Sequence, residues 1–587
     1  MSDSPPFVDS ISLTHPYRRF PVNPCPLSVL LGHEAIARAI LERLGGWSRA
    51  VVVCDGFSGV RWDVWRERLN AAFAALGQSA SWVNVEEALA EADSDRNAVI
   101  QFHLTDDPIF GRLYRGKITD FFDRAKLRRL AERVAQNPGI TVVYGTGAAL
   151  VCGAGDCLVY LDVSKEEFQN RCRQKAVANF GCRRPASFGE MYKRAYYIDY
   201  PVLNLEKRRL LPQLDFVVDE IHVNSPRAVK GEPFRAALAQ VAQAPVRIVP
   251  FFMPGPWGGQ WMKQNFGLPP EPPNYAWSYE LIAPENGLRL GSEREWLEVS
   301  LDYLLWQEAD AVMGRPVTSI FGSSFPIRFD YLDTMQGGNL SCQVHPPPDY
   351  IRDEFGEPYT QHETYYIMQA EPGARVYFGL QEDIDPAKFR KAAELAKNQA
   401  VPFDINQFVH SLPSKPHDLF LIPAGTVHCS GAGNLVLEIS STPYLYTFKI
   451  YDYLRKDLDG ALRHVSIEHA FANINFARKG RWVAGHLKPA PRLLRGDSEA
   501  AEYMLEDLDL LFHAIHRLEF TREIADAVRD RFLVLNLVEG ECVEIETARG
   551  RTELHYAETI IVPASVGEYR LVNRGSRACK VVKAFVK

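Results

Sequence analysis

The 587-residue sequence predicts a multidomain fold: a parallel-sheet α/β domain over residues 1–240, then an all-β region over residues 245–587. Three observations predict it. Strand-like and helix-like segments alternate through the first part, the pattern of βαβ units. Pro, Gly and aromatic residues rise after residue 245, in FFMPGPWGGQW and LPPEPPNYAWSY. Short β-rich runs separated by turns then dominate to the end, the pattern of jelly-roll barrels or sandwiches.

In the first part, His33–Leu44 has helical periodicity and Ala50–Cys54 is a short buried strand. Val64–Leu76 is helical, with Trp65, Leu69, Phe73 and Leu76 on one stripe. There follow a strand at Ala98–Leu104, a helix at Asp120–Gln136, strands at Ile140–Tyr144 and Cys157–Val163, and a helix at Lys165–Asn179. In the second part LSCQVHP, ETYYIMQA, ARVYFGL, DLFLIPAG, NLVLEIS and YTFKIYDY read as strands, as do RFLVLNLVEGECVEIET, AETIIVPAS, EYRLVNRG and ACKVVKAFV. Two segments there carry a helical pattern, Glu293–Ala309 and Pro386–Asn398.

Composition narrows the function classes. The balance of 73 acidic against 66 basic residues gives a net charge of -7, which argues against a dedicated nucleic-acid binder. The ten cysteines show no CxxC pair, so neither a disulfide framework nor a cysteine-type zinc site is expected, and a reducing cytoplasm is the natural setting. The first residues lack a basic segment followed by an apolar core, so no signal peptide is read. The longest uncharged stretch, Val134–Gly155, holds five Gly and one Pro and reads as strand–turn–strand, not as a membrane span.

The segments QVH (343–345), Glu363 and PAGTVH (423–428) carry the most chemistry. Strand alternation puts Gln343 and His345 on one face. Glu363 opens the next strand and His428 follows a Pro-Ala-Gly turn. Two imidazoles, a carboxylate and an amide oxygen make a mixed N/O site suited to Zn²⁺ or a similar divalent ion. His362 would point away from Glu363 and is not counted as a ligand.

The stretches PGPWGGQWM, YAWSYELIAPENG, SSFPIRFDYLD, LSCQVHPPPDY, HETYYIMQAEPGA, LFLIPAGTVHCSGAGNLVLEIS and YTFKIYDYLRKDLDGALRHVSIEHA occur in this order. On them, the region from about residue 247 to the end resembles type I mannose-6-phosphate isomerase, a zinc enzyme of the cupin fold. The resemblance implies a double cupin (jelly-roll) unit with a helical insertion, and cytoplasmic carbohydrate metabolism. It implies a metal-dependent aldose–ketose isomerase interconverting mannose 6-phosphate and fructose 6-phosphate. It places one Zn²⁺ per chain on Gln343, His345, Glu363 and His428. It makes Glu438 the base and Lys449 the cation that stabilises the oxyanion. The implied partner is a small-molecule sugar phosphate, with no nucleic acid and no membrane. Two positions depart from the family. Gln361 stands where a Lys is usual, and Lys449 stands for an Arg, with one extra residue after Glu438. They keep open an isomerase for another sugar and a non-catalytic, metal-containing sugar or nucleotide sensor.

In the first part, the loop Asp55–Trp62 lies between strand and helix, where a P-loop would be, but Arg61-Trp62 replaces the Lys-Ser/Thr that phosphate and Mg²⁺ require. With ITVVYGTGAAL and DCLVYLDVSKEEFQNRC, the region resembles uridine-kinase-like P-loop enzymes, and reads as a degenerate scaffold. The basic cluster Arg171, Arg173, Lys175, Arg183, Arg184 and Lys193 reads as a solvated face or an anion site. Trp257, Trp261, Trp277 and Tyr279 read equally as a sugar-stacking wall or as core, and Arg455 as a substrate contact or a partner of Asp452 or Asp457.

Overall fold

The computed structural model describes residues 16–91, 95–456 and 460–587. The leader region read above, through residue 15, and Asp457 and Asp459 lie outside the described residues. Among those described, no helix is long and apolar enough to cross a membrane.

The first part is a seven-stranded sheet. Five of its strands run parallel, from the edge strand Ala80–Asn84 through Gly139–Tyr144, Arg49–Gly56 and Cys157–Asp162 to Phe216–Asp219. Arg227–Lys230 adds on antiparallel. The three middle strands are almost continuously apolar and buried, as strands covered on both faces must be. Helices Gly32–Leu44, Trp62–Ala75, Arg124–Gln136 and Lys165–Arg173 connect them.

Three expectations need correction. Ala98–Leu104, expected as a strand, belongs to the helix Asp95–Leu104, and the strand of that βαβ step is Ala80–Asn84. A short apolar run carries no period long enough to tell the two apart. The helix expected over Lys165–Asn179 stops at Arg173. Glu293–Ala309, expected as one helix, contains the strand Trp296–Ser300 followed by the helix Asp302–Gln307. That strand is held from outside: it pairs with Gly287–Gly291, and its backbone N–H groups at Glu298 and Ser300 donate to Asp219 and Asp162.

Apart from a small three-stranded sheet of Asn23–Pro24, Gly287–Gly291 and Trp296–Ser300, the sheets of the rest of the chain are antiparallel and form two units. In the first, a six-stranded sheet has the order Leu419–Ile422, Glu363–Ala370, Asn434–Ser441, Ile327–Asp333, Trp277–Leu281 and Phe251–Met253. Its companion five-stranded sheet includes Cys342–Val344, His428–Ser430 and Phe448–Tyr451. The helix Pro386–Gln399 is inserted between strands, as expected. The second unit pairs a six-stranded with a four-stranded sheet around its own core of Leu518, Leu535, Val543, Ile545 and Leu571.

The α/β part and the first β unit share one continuous apolar core. Phe110 inserts among Phe355, Tyr446, Phe448 and His469. Polar groups complete the seam. Tyr196 and Tyr446 hydroxyls both donate to Glu357, at 2.9 and 2.8 Å. Glu285 accepts from Gln169 (3.1 Å), Tyr192 (3.3 Å) and Tyr444.

Candidate metal centre

The site lies between the two sheets of the first β unit. Gln343 and His345 leave the short strand Cys342–Val344 on one face, and Gln343 is the register partner of His428 on the neighbouring strand. Glu363 reaches across from the six-stranded sheet. The turn before His428 depends on Gly425, whose φ of +89° suits glycine, and whose N–H bonds the His345 carbonyl at 2.8 Å. Arg478 clamps this turn through the Pro423 and Ala424 carbonyls and the Thr426 hydroxyl, at 2.6–2.7 Å.

The structure thus brings the four expected ligands together. His345 Nε2 stands 3.0 Å from Glu363 Oε1, and His428 Nε2 stands 3.1 Å from Glu363 Oε2. Gln343 Nε2 lies 3.4 Å from His428 Nε2. His345, Glu363 and His428 are at most 1% exposed. His345 Nδ1 faces the Tyr446 carbonyl at 2.9 Å, and His428 Nδ1 faces the Thr426 carbonyl at 2.9 Å. A carbonyl can only accept, so each Nδ1 carries the proton and each Nε2 presents a lone pair. Two lone pairs and a carboxylate then converge in a buried space, and His345 Nε2 has no hydrogen-bond donor. That donor set fits a divalent cation bound by nitrogen and oxygen. Burial works to raise the Glu363 carboxyl; imidazoles protonated at Nε2 would outweigh it and hold the group well below its ordinary range, and with both Nε2 atoms unprotonated a cation would supply that compensating charge. Burial lowers His428.

A second layer of charge surrounds this group. Arg328 Nη2 donates to Glu363 Oε1 at 3.0 Å and also to Glu438, while its Nη1 stands 3.8 Å from Asp330. Glu438 Oε1 accepts from Ser440 Oγ at 2.8 Å. Gln361 Nε2 donates to Glu363 Oε1 at 2.6 Å. Glu438 is 3% exposed, and burial pushes its carboxyl well above the usual range. Burial likewise raises Asp330, to about 7. The cross-strand register explains the cluster. Tyr365, Glu438, Asp330, Tyr279 and Phe251 are successive partners on adjacent strands, so they form one row across the sheet.

Sequence reasoning did not single out Arg328 or Asp330, although a signal was present. IRFDYL puts two opposite charges two residues apart in a run that is otherwise apolar or aromatic, and charges in a buried strand need partners. Lys449 is the register partner of Gln343, and its charge helps to hold His464 down behind the larger effect of burial. Arg455 is fixed on Asp452 at 2.8 Å, and Arg463 holds the other Asp452 oxygen at 2.8 Å. His362 accepts from the Ala424 N–H at 3.1 Å and stays outside the metal group. Trp257 and Trp277 pack edge to face at 4.7 Å, and Trp257 is buried, which makes the pair core.

At the carboxyl ends of the parallel strands, where open α/β sheets bind ligands, several acids are bonded by the chain itself, and a cavity of about 260 Å³ remains beside Gly59, Arg61, Trp62 and Thr146. Asp55 accepts the N–H groups of Gly56, Gly147 and Ala149. Asp162 holds Lys207 at 2.8 Å and the Ser300 N–H at 2.9 Å. Glu220 accepts the Arg61 N–H at the start of the second helix, where a phosphate would otherwise sit, and pairs with the buried Arg171.

Residues 32–243 match the family model described as Domain of unknown function (DUF8485). Mannose-6-phosphate isomerase of Streptococcus mutans is 29% identical over 216 residues, 36% of this chain and 62% of that protein. Mannose-6-phosphate isomerase ManA of Bacillus subtilis is 22% identical over 330 residues, 56% of this chain and 95% of that protein. The crystal structure of mannose 6-phosphate isomerase from Bacillus subtilis superposes with a TM-score of 0.48 and 20% identity, covering 58% of this chain and 99% of that one. The C-terminal 56% of the chain is homologous to mannose-6-phosphate isomerases.

Proposed function

We propose that the first β unit is the catalytic centre of a metal-dependent aldose–ketose isomerase acting on a hexose phosphate, with mannose 6-phosphate and fructose 6-phosphate as the leading pair. The observation that supports it most is the convergence of two imidazole lone pairs and the Glu363 carboxylate beside a second buried carboxylate, Glu438. Gln343, His345, Glu363 and His428 would hold one divalent ion such as zinc. When bound, it would polarise the substrate's carbonyl and hydroxyl oxygens.

The chain's own groups would do the proton work. Glu438 would take the proton from C2 of the aldose and return it to C1, while the hydroxyl proton passes from O2 to O1 through an enediol. Burial raises its carboxyl from the ordinary range, the direction that helps a base to return the proton it has taken. Arg328 would hold Glu438 in place and supply the positive charge that the neutral Gln361 lacks. Lys449 remains a candidate for stabilising the oxyanion from the facing strand.

We place the boundary between an N-terminal unit (1–240) and the isomerase-like region (245–587) where the parallel sheet ends. We read the N-terminal unit as a degenerate P-loop kinase-like scaffold, a reading supported by its parallel strand order and by the Arg61-Trp62 pair that stands where Lys-Ser/Thr would be needed. The ten free cysteines suit the cytoplasm.

The test is a panel of sugars and sugar phosphates offered to the metal-loaded protein, with His345→Ala and His428→Ala as controls. Isomerisation of a hexose phosphate, lost in both variants together with most of the bound metal, is expected. Isomerisation of a different sugar would follow from Gln361 and Lys449 altering the charge around the substrate. Metal binding without turnover of any sugar would favour a sensor and overturn the proposal.

A further inference from the structure

The second β unit carries a group of metal-ligating side chains of its own. One of its hairpins joins the strands Cys542–Thr547 and Gly550–His555. Val543, Ile545 and Leu554 turn one face of this hairpin into the core of the unit. Alternation turns Cys542, Glu553 and His555 to the other face. Cys542 and His555 are direct register partners, and Glu553 precedes His555 by two positions on the same strand.

The three donors converge. The Cys542 sulfur, a His555 ring nitrogen and a Glu553 carboxylate oxygen all lie within 4.8 Å of one another. His555 Nε2 stands 3.2 Å from Glu553 Oε2. That is close to the ~3.3 Å that tetrahedral angles set between a nitrogen and an oxygen each about 2.0 Å from zinc. Cys542 and His555 are buried, and Glu553 is exposed. Glu553 also lines a cavity of about 1140 Å³ between residues 18–24, residues 240–247 and the hairpin tip, which gives an ion a way in.

The charges around the group are compatible with a cation. Glu544, the register partner of Glu553, is held by Arg574 at 2.5 Å and Arg551 at 3.6 Å. The Glu553 carboxylate makes no ion pair with Lys or Arg among the described residues, and its side-chain contact is with His555. The positive charge of Arg18 reaches Cys542, His555 and Glu553 and works against a cation here. The Glu558 carboxylate accepts from that guanidinium at 3.0 and 2.5 Å and offsets it. A divalent ion bound by one thiolate, one carboxylate and a neutral imidazole then leaves no net charge.

We infer that Cys542, Glu553 and His555 bind a second divalent ion of the zinc class, away from the centre in the first β unit. A mixed sulfur, nitrogen and oxygen set suits zinc. The sequence has no CxxC pair, and the set is assembled instead across a hairpin, from one cysteine and a Glu-x-His pair. Three protein donors leave the remaining coordination to water on the exposed side. This ion should therefore exchange more readily than one enclosed by His345, Glu363 and His428, and the site exists whether or not the first centre isomerises a sugar.

Cobalt titration tests it. Gln343, His345, Glu363 and His428 carry no sulfur, so a near-ultraviolet thiolate-to-cobalt band can arise only where a cysteine holds the ion. Co²⁺ added to the zinc-loaded, dialysed full-length protein should produce that band, saturating at one ion per chain. His345→Ala should keep it, and Cys542→Ser should abolish it. Glu553→Gln alters an exposed side chain, should leave the melting curve unchanged, and should weaken Co²⁺ binding by more than about 10-fold, the lower bound for losing even a group that only supports a ligand. His555→Ala should weaken it further. A wild type with no saturable band overturns the inference, and so does a band that survives Cys542→Ser. Equal affinity in wild type, Glu553→Gln and His555→Ala also overturns it, since cobalt would then be held by a thiolate alone.

Discussion

At the scale of single residues, Arg328 is the group on which the centre depends most. It is 5% exposed and donates to two buried carboxylates that belong to different strands. Removing one partner of such a cluster leaves the other charges buried and uncompensated. Arg328→Met should lower kcat by about 10²–10³-fold, the range seen when one fixed donor is lost from a catalytic site, while most of the metal stays bound. Metal content and a melting curve on the same sample separate this from unfolding. Full activity in Arg328→Met would show that Glu438 needs no such partner. The grouping of Gln343, His345, Glu363 and His428 was legible in the sequence. Alternation pairs Gln343 with His345, and the Glu and the turn-His stand at strand starts. Arg328 was not, because its meaning lies in Glu363 and Glu438, 35 and 110 residues away. A charge on a strand becomes interpretable only once its cross-strand neighbours are known.

At the scale of elements, the strand Trp296–Ser300 shows why part of the fold escaped the sequence. Its local pattern favours a helix, and tertiary bonds from Asp162 and Asp219 override it. The same contacts tie up two acids at the carboxyl ends of the parallel strands. Glu220 occupies the helix N-terminus after Gly59, and Lys207 is fully buried on Asp162 and Ser300. The protein should therefore neither hydrolyse ATP nor transfer its phosphoryl group. A radiolabelled-phosphate release assay with Mg²⁺ checks this. Turnover that disappears in Asp55→Ala would mean that the loop works in spite of lacking its Lys-Ser/Thr pair. The strands Arg49–Gly56, Gly139–Tyr144 and Cys157–Asp162 were legible because runs buried on both faces are uniformly apolar, whereas Ala80–Asn84 mixes polar and apolar residues and was overlooked.

At the scale of the whole molecule, Glu558 joins three distant segments. It accepts from Arg18, near the beginning of the described chain, at 2.5–3.0 Å, and from the His555 N–H at 3.0 Å, and it forms an ion pair with Arg247 at 2.5 Å. Burial tends to raise its carboxyl, but Arg247 and Arg18 outweigh that and depress it to about 2. A carboxylate depressed in the folded state adds stability at pH values above its unfolded pKa, and that stability is lost as pH falls through the folded value. Glu558→Gln should cost about 3–5 kcal/mol at pH 7, as expected for a broken buried ion pair. The gap between wild type and variant should narrow as pH is lowered from about 5 towards 2. Denaturant melts across that range measure it, and a gap independent of pH would mean the bonds contribute through shape rather than charge.

The capping of Asp219 and Asp162 by residues 296–300 also has a consequence for synthesis on the ribosome. Asp219 leaves the peptidyl transferase centre 79 residues ahead of the Glu298 N–H that it will bind. At about 5–20 residues per second, the sheet waits roughly 4–16 seconds with its carboxyl-end acids open to water before the plug arrives. Nascent chains should change character on passing that point. Stalled chains with residues up to about 270 outside the exit tunnel should be cut readily by protease within the α/β part, and chains with residues up to about 340 outside should resist. Equal resistance at both lengths would mean that the sheet closes without its plug.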